Sequence, residues 1–495
     1  MTAHERNDAE LGIGGLDDVL GGGFERSRTY LLEGSPGAGK TTIALQFLMT
    51  GAATGERCLY ITLSETEDEL RATARSHDWD LAGIDIYELV PPENLLDEEQ
   101  QQSLLYSSDL ELGETTKRIF EAFERIKPSR VVLDSLSEIR LLAQNSLRYR
   151  RQILALKHYF AQSGVTVMML DDLTSDANDK TVHSVAHGVI RLDELAPEYG
   201  AERRRLRVIK YRGRRFRGGY HDFAIETGGV RVFPRLVSAE HRTDFSRDPL
   251  ATDSPEFNAL LGGGLDRGSG VLVLGPAGTG KSLLALTFVK TAIERGEHAA
   301  MFVFDEEVGL LTQRARGLGI DLQMMIDSER LVLQQVDAAE LSPGEFSARV
   351  RHCVEVYGAR TIVIDSLNGY QAAMPEEHAL ILHMHELLQY LNRQGATTIL
   401  TVAQHGLVGD MKSPVDVTYL ADTVILLRYF EAVGRVRRAI SVVKKRMGEH
   451  ENTIREYQIG SRGITLGEPL TQFQGILRGV PTLRGDGDLL KREDA

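Results

Sequence analysis

Gly34-Ser35-Pro36-Gly37-Ala38-Gly39-Lys40-Thr41 and Gly275-Pro276-Ala277-Gly278-Thr279-Gly280-Lys281-Ser282 decide the fold. Each carries glycines that turn backbone amides toward a phosphate, a lysine that reaches the β and γ phosphates, and a hydroxyl suited to Mg²⁺. Short apolar runs precede both, Thr29 to Glu33 and Gly270 to Leu274, and helical stretches follow, Thr41 to Thr50 and Ser282 to Ile293. A strand, a glycine loop and a helix in that order put phosphate at the positive end of a helix. Thr42 and Leu283, in the first helical turn, join the two candidate nucleotide-binding sets.

The two loops belong to a duplication. Leu20-Gly21-Gly22-Gly23 recurs as Leu261-Gly262-Gly263-Gly264 and Lys40 as Lys281, both 241 positions later; Asp134 recurs as Asp365, 231 positions later. The second copy is shorter around Pro91 to Leu112. A repeat of this length is a whole domain, so the expected domains are 1–240 and 241–495, joined through the polar segment Val237 to Pro255. Leu59 to Leu63, Val131 to Leu133 and Thr166 to Leu170 read as further buried strands, matched by Ala300 to Phe304, Ile362 to Ile364 and Thr397 to Val402. Strands alternating with helices predict an α/β fold on a mostly parallel sheet. Arg205 to Lys210 and Ala439 to Lys444 alternate, as hairpin strands do after such a core.

Composition sets the outer bounds. The 495 residues are 42% hydrophobic and 26% charged, which is ordinary for globular chains and excludes disorder and fibre. The net charge of −14 repels nucleic acid and anionic membranes. Cys58 and Cys353 alone make no disulfide framework, and neither a leader nor a membrane-spanning stretch is evident, so a cytoplasmic protein is expected.

Arg130-Val131-Val132-Leu133-Asp134-Ser135 and Thr361-Ile362-Val363-Ile364-Asp365-Ser366 end apolar strands in an aspartate that can hold a metal's hydration shell. The metal set is then Thr41 with Asp134 and Ser282 with Asp365. Ser64-Glu65 and Asp305-Glu306-Glu307 follow the second apolar strand of each half, where a carboxylate can orient or deprotonate an attacking water or hydroxyl. These residues argue for two nucleotide sites per chain and leave motor, switch and kinase open.

From about Gly12 to about Leu483 the chain resembles the KaiC family, two-domain RecA-superfamily ATPases. The resemblance is carried by the paired loops with their Leu-Gly-Gly-Gly elements, Ser76-His77-Asp78-Trp79-Asp80-Leu81, Asp365-Ser366-Leu367, Ala421-Asp422-Thr423-Val424-Ile425-Leu426-Leu427, Lys210-Tyr211-Arg212-Gly213, and Lys444-Lys445-Arg446 with Gly448 and His450. It implies two tandem RecA-like domains and a hexamer that holds ATP between neighbouring subunits. It further implies catalytic acids at Asp305 and Glu306, and at Glu65 where Ser64 replaces the first acid. Lys210, Arg212, Lys444 and Arg446 are implied to act across the subunit boundary. The family's paired phosphoacceptors fall on Thr418 and Tyr419, which makes the second domain a candidate autokinase. A signalling protein is the implied partner. The competing functions are a RecA-type DNA motor, which the net charge opposes, and a nucleotide-gated scaffold with little turnover.

Overall fold

The computed structural model describes residues 8–89, 104–173, 181–196, 200–372, 377–404, 418–432, 434–461, 463–478 and 482–483. The chain separates into two compact units, with Arg235 ending the first and Leu236 beginning the second. Each is built on a nine-stranded sheet.

In the first unit the strands are β1 (Thr29–Gly34), β2 (Cys58–Thr62), β3 (Ile84–Glu88), β4 (Arg130–Asp134), β5 (Thr166–Asp172), β6 (Gly188–Leu195), β7 (Arg203–Tyr211), β8 (His221–Glu226) and β9 (Gly229–Phe233). Their order in the sheet is β3-β2-β4-β5-β1-β6-β7-β8-β9. Strands β1 to β6 run parallel, and β7 to β9 extend the sheet antiparallel. The second unit repeats this plan with β10 (Gly270–Gly275), β11 (His298–Val303), β12 (Leu331–Gln335), β13 (Ala359–Asp365), β14 (Thr397–Ala403), β15 (Thr423–Ala432), β16 (Arg435–Lys445), β17 (Arg455–Gly460) and β18 (Gly463–Pro469). Its order, β12-β11-β13-β14-β10-β15-β16-β17-β18, matches the first strand for strand.

Burial follows topology. Every residue of β1 and of β10 is buried, because helices cover both faces of the parallel region. One face of the first sheet packs against Ile43, Leu45 and Phe47 of α1 (Lys40–Ala53). The other packs against Ile139 of α3 (Leu136–Ala143) and Ile153 and Leu156 of α4 (Ser146–Gln162). Between them in sequence, α2 (Glu67–Ser76) starts in a reciprocal cap: Thr66 accepts from the Glu69 amide, and the Glu69 carboxylate accepts from the Thr66 amide at 2.8 Å. At the foot of β4 the buried Arg130 donates to the carbonyls of Glu10 and Phe47 and to Glu56 at 2.8 Å. Burial works against the Glu56 carboxylate, yet hydrogen bonds from Arg26 and Arg130 hold it down at about 2. In the second unit, after the short α5 (Pro255–Leu260), α6 (Lys281–Glu294) takes the place of α1, and α7 (Val308–Arg316) the place of α2.

Most strands read from the sequence as short apolar runs extend by one to three residues at one or both ends, whereas β2 and β11 begin earlier than read and stop one residue before Leu63 and Phe304; the registers set what meets at the sheet edge. Gly34 is level with Asp172, and Thr62 with Asp134. The phosphate loop and the carboxylate-bearing strand ends therefore converge at the carboxyl edge of the sheet, where ligands bind open α/β sheets.

Candidate active site

Gly37 and Gly39 hold φ of 84° and 94°, and Gly278 and Gly280 hold 77° and 93°, a region closed to most side chains. Gly39 is also pinned sterically: a Cβ there falls 2.6 Å from Ile225 Cδ1 of β8, and at Gly280 one falls 2.7 Å from Ile459 Cδ1 of β17. Pro36, Gly37, Ala277 and Gly278 are exposed at the loop tips, while Ala38 and Thr279 anchor the loops inside. Lys40 Nζ donates to the carbonyls of Gly34 and Ser35, both at 2.8 Å. Lys281 Nζ does the same toward Gly275 and Pro276 at 3.0 and 2.9 Å, and burial lowers its pKa. Thr42 and Leu283 are buried in the first turn of their helices.

The first site is acidic. Asp134 is buried at the end of β4; burial raises its pKa, and Tyr60 Oη donates to its Oδ2 at 2.5 Å. Asp172, at the end of β5, forms an ion pair with Lys40 at 2.7 Å and accepts from Ser137 Oγ at 3.3 Å. Glu65 is fixed through its backbone, which donates to and accepts from Thr62 Oγ1 at 3.0 and 2.7 Å. Burial, then the nearby charges of Asp134, Glu69 and Asp172, raise the Glu65 pKa, and its Oε2 is buried without a hydrogen-bond partner among the described residues. A carboxylate of raised basicity facing the phosphate edge suits a base or water-orienting group.

The second site is built differently. Thr401 Oγ1 donates to Asp365, Ser366 Oγ donates to Asp305, and Glu306 is held by Arg314 of α7 at 2.7 Å. Glu307 caps α7, accepting from the Gly309 and Leu310 amides at 2.8 Å. Ala403 stands where the first unit has Asp172, so the register position that pairs with Lys40 in the first unit carries no carboxylate in the second.

The basic residues lie elsewhere. Lys210 pairs across the sheet with Val189, and Val189 with Leu31; Lys444 pairs with Val424, and Val424 with Leu272. Both positions are three residues short of the glycine that opens the loop, roughly 10 Å along the strand. Lys210 donates to the His183 carbonyl, and Lys444 to those of Thr418 and Ala421 at 2.9 and 2.8 Å. Arg212 donates to the Ser184 carbonyl at 2.9 Å, and Arg446 to Asp422 at 2.8 Å. Thr418 and Tyr419 thus lie beside Lys444, with Tyr419 half exposed. Sequence reading missed Tyr60, Thr401 and Asp172. Tyr60 and Thr401 sit inside apolar runs and look like strand filler; Asp172 had one available signal, a strand ending in acid level with the first loop.

Two matched phosphate loops, a strand inserted between each loop strand and its aspartate strand, and carboxylates at the same sheet edge define a tandem RecA-like P-loop ATPase. The family model described as "ATPase: KaiC" matches residues 9–237 and again 250–471. The chain belongs to this KaiC ATPase family. It is 28% identical over 485 residues to the circadian clock protein KaiC3 of Synechocystis sp., covering 95% of this chain and 94% of that one. It is also 28% identical to the circadian clock oscillator proteins KaiC of Thermostichus vulcanus and Synechococcus elongatus, each covering 95% of this chain and 91% of the relative. Among the described residues no helix is long and apolar enough to cross a membrane.

Proposed function

We propose that the chain is a cytoplasmic, Mg²⁺-dependent ATPase of signalling type that works as a hexamer, with one ATP site per domain closed by the neighbouring chain. The observation that carries this reading is the placement of Lys210 and Lys444 some three residues behind their own loops. A cation so placed supports a role at a phosphate on another chain, which ties hydrolysis to assembly. The oxygens of Thr41 with Asp134, and of Ser282 with Asp365, are the hard donors Mg²⁺ takes. When bound, such an ion neutralises charge on the β and γ oxygens. Glu65 in the first site and Asp305 with Glu306 in the second are the acids assigned to orient the attacking oxygen.

Autophosphorylation on Thr418 is the finer part of the proposal, supported by the contact of Lys444 with its carbonyl. The test is ADP release from the full chain, from Lys40→Ala and from Lys281→Ala, with and without single-stranded DNA, beside peptide mass spectrometry of wild type and Thr418→Ala. Two separable Mg²⁺-dependent rates, indifferent to DNA, are expected, with phosphate lost in Thr418→Ala. Nucleotide binding without ADP release would favour a scaffold, and DNA stimulation a motor. ADP release with no added phosphate would remove the autokinase and leave the ATPase.

A further inference from the structure

The two units differ in how they hold the aspartate that ends the fourth strand. In the first, the fully buried Tyr60 reaches Asp134 Oδ2 at 2.5 Å from β2, the strand on one side. In the second, Thr401 reaches Asp365 Oδ1 from β14, the strand on the other side. The registers make these alternatives explicit. Tyr60 is level with Val132 as Met301 is with Val363, and Met169 pairs with Leu133 as Leu400 pairs with Ile364, so Leu170 and Thr401 follow at matching positions. The first unit therefore has Tyr60 and Leu170 where the second has Met301 and Thr401. Each copy keeps one hydroxyl on the carboxylate and fills the opposite position with an apolar side chain.

We propose that Tyr60 is the positioning residue of the first nucleotide site, aligning Asp134 through its hydroxyl, in place of the threonine that aligns Asp365 in the second. The group it holds, Asp134, is one of the two candidate metal-sphere side chains of that site. A partner of this kind fixes the orientation of the oxygens a cation uses, and its removal typically weakens metal dependence by about 10- to 100-fold. The inference rests on the two-site Mg²⁺-ATP reading.

The experiment uses the full chain with Lys281→Ala, so that only the first site reports. Binding of a fluorescent ADP analogue is titrated against Mg²⁺ and again in EDTA, with ADP release and thermal unfolding alongside. Tyr60→Phe should raise the Mg²⁺ concentration for half-maximal binding by about 10-fold while leaving affinity in EDTA and the melting temperature close to the parent. The double variant Tyr60→Met/Leu170→Thr, which installs the second unit's arrangement, should return the Mg²⁺ response to within about 3-fold of the parent, whereas Tyr60→Met alone should not. Thr401→Val in a Lys40→Ala background should produce the matching loss at the second site and stands in if the double variant does not fold. Coincident Mg²⁺ titrations for parent and Tyr60→Phe overturn the proposal, as does a folded double variant no better than Tyr60→Met. If the Lys281→Ala parent itself shows no Mg²⁺-dependent nucleotide binding, the two-site reading fails instead.

Discussion

Asp172→Asn asks what the acid beside the first loop lysine does to nucleotide affinity. The carboxylate stands 2.7 Å from the Lys40 ammonium, with side chains 27% and 8% exposed. Exposed pairs couple by about 0.2–1 kcal/mol, and breaking a fully buried one costs about 3–5 kcal/mol, so a pair of intermediate burial lies near 1–2 kcal/mol. A triphosphate on Lys40 shares that ammonium with Asp172 and meets its negative charge. Removing the charge should tighten metal-free ATP binding at the first site by about 5- to 30-fold. The assay is titration of a fluorescent ATP analogue in EDTA on a Lys281→Ala background, with and without Asp172→Asn. The second site, where Ala403 replaces the acid, is read in a Lys40→Ala background and should already bind as the variant does. Unchanged or weaker binding in a variant that melts normally would refute the reasoning.

Other predictions concern stability and assembly. His221 accepts the Arg235 amide on Nδ1 and lies against the Arg217 carbonyl through Nε2, so it is held neutral, and burial lowers its pKa to about 4. His383, between Ser347 and Tyr370, is likewise lowered by burial to about 4. Because both folded values lie below the unfolded value near 6.5, their contribution is complete above that pH and is lost as pH falls toward 4. That amounts to about 3 kcal/mol for each histidine, one per unit. Urea titrations from pH 7 to pH 4 should show both units weakening, and replacing His221 by Gln should flatten the slope for the first. Arg130→Met removes the donor to the buried Phe47 carbonyl, the Glu10 carbonyl and the largely buried Glu56 carboxylate, and should destabilise the first unit by about 3 kcal/mol, read by urea denaturation. Lys210→Ala should lower ADP release from the first site by a factor on the order of 10³ while nucleotide binding persists; equal rates in the variant would place its ammonium away from the reacting phosphate.

The duplication, the loops and the parallel core were legible because they rest on local signals: glycine spacing, runs of buried apolar residues, and aspartates closing strands. The antiparallel extension was half visible, since β7 and β16 alternate clearly, whereas β8, β9, β17 and β18 are short and mix charge with apolar residues. What sequence reading did not reach was set by register. Tyr60 and Thr401 acquire their task only when neighbouring strands bring them to a carboxylate, and no spacing along the chain encodes that. Glu306 shows the same limit, because its ion pair with Arg314 depends on the turn of α7.

The contact between Gly39 and Ile225 bears on how this protein can be labelled. The hairpin turn between β8 and β9 passes through Thr227 and Gly228, and Thr227 is exposed two residues from the isoleucine that touches the entry of α1. Both native cysteines are buried. A single cysteine at Thr227 therefore takes a dye selectively and places it at the outer end of a strand whose inner side chain rests on the phosphate loop. Such a reporter reads the first site without touching any group that handles the nucleotide, and Ser461, beyond Ile459 on β17, offers the same vantage on the second.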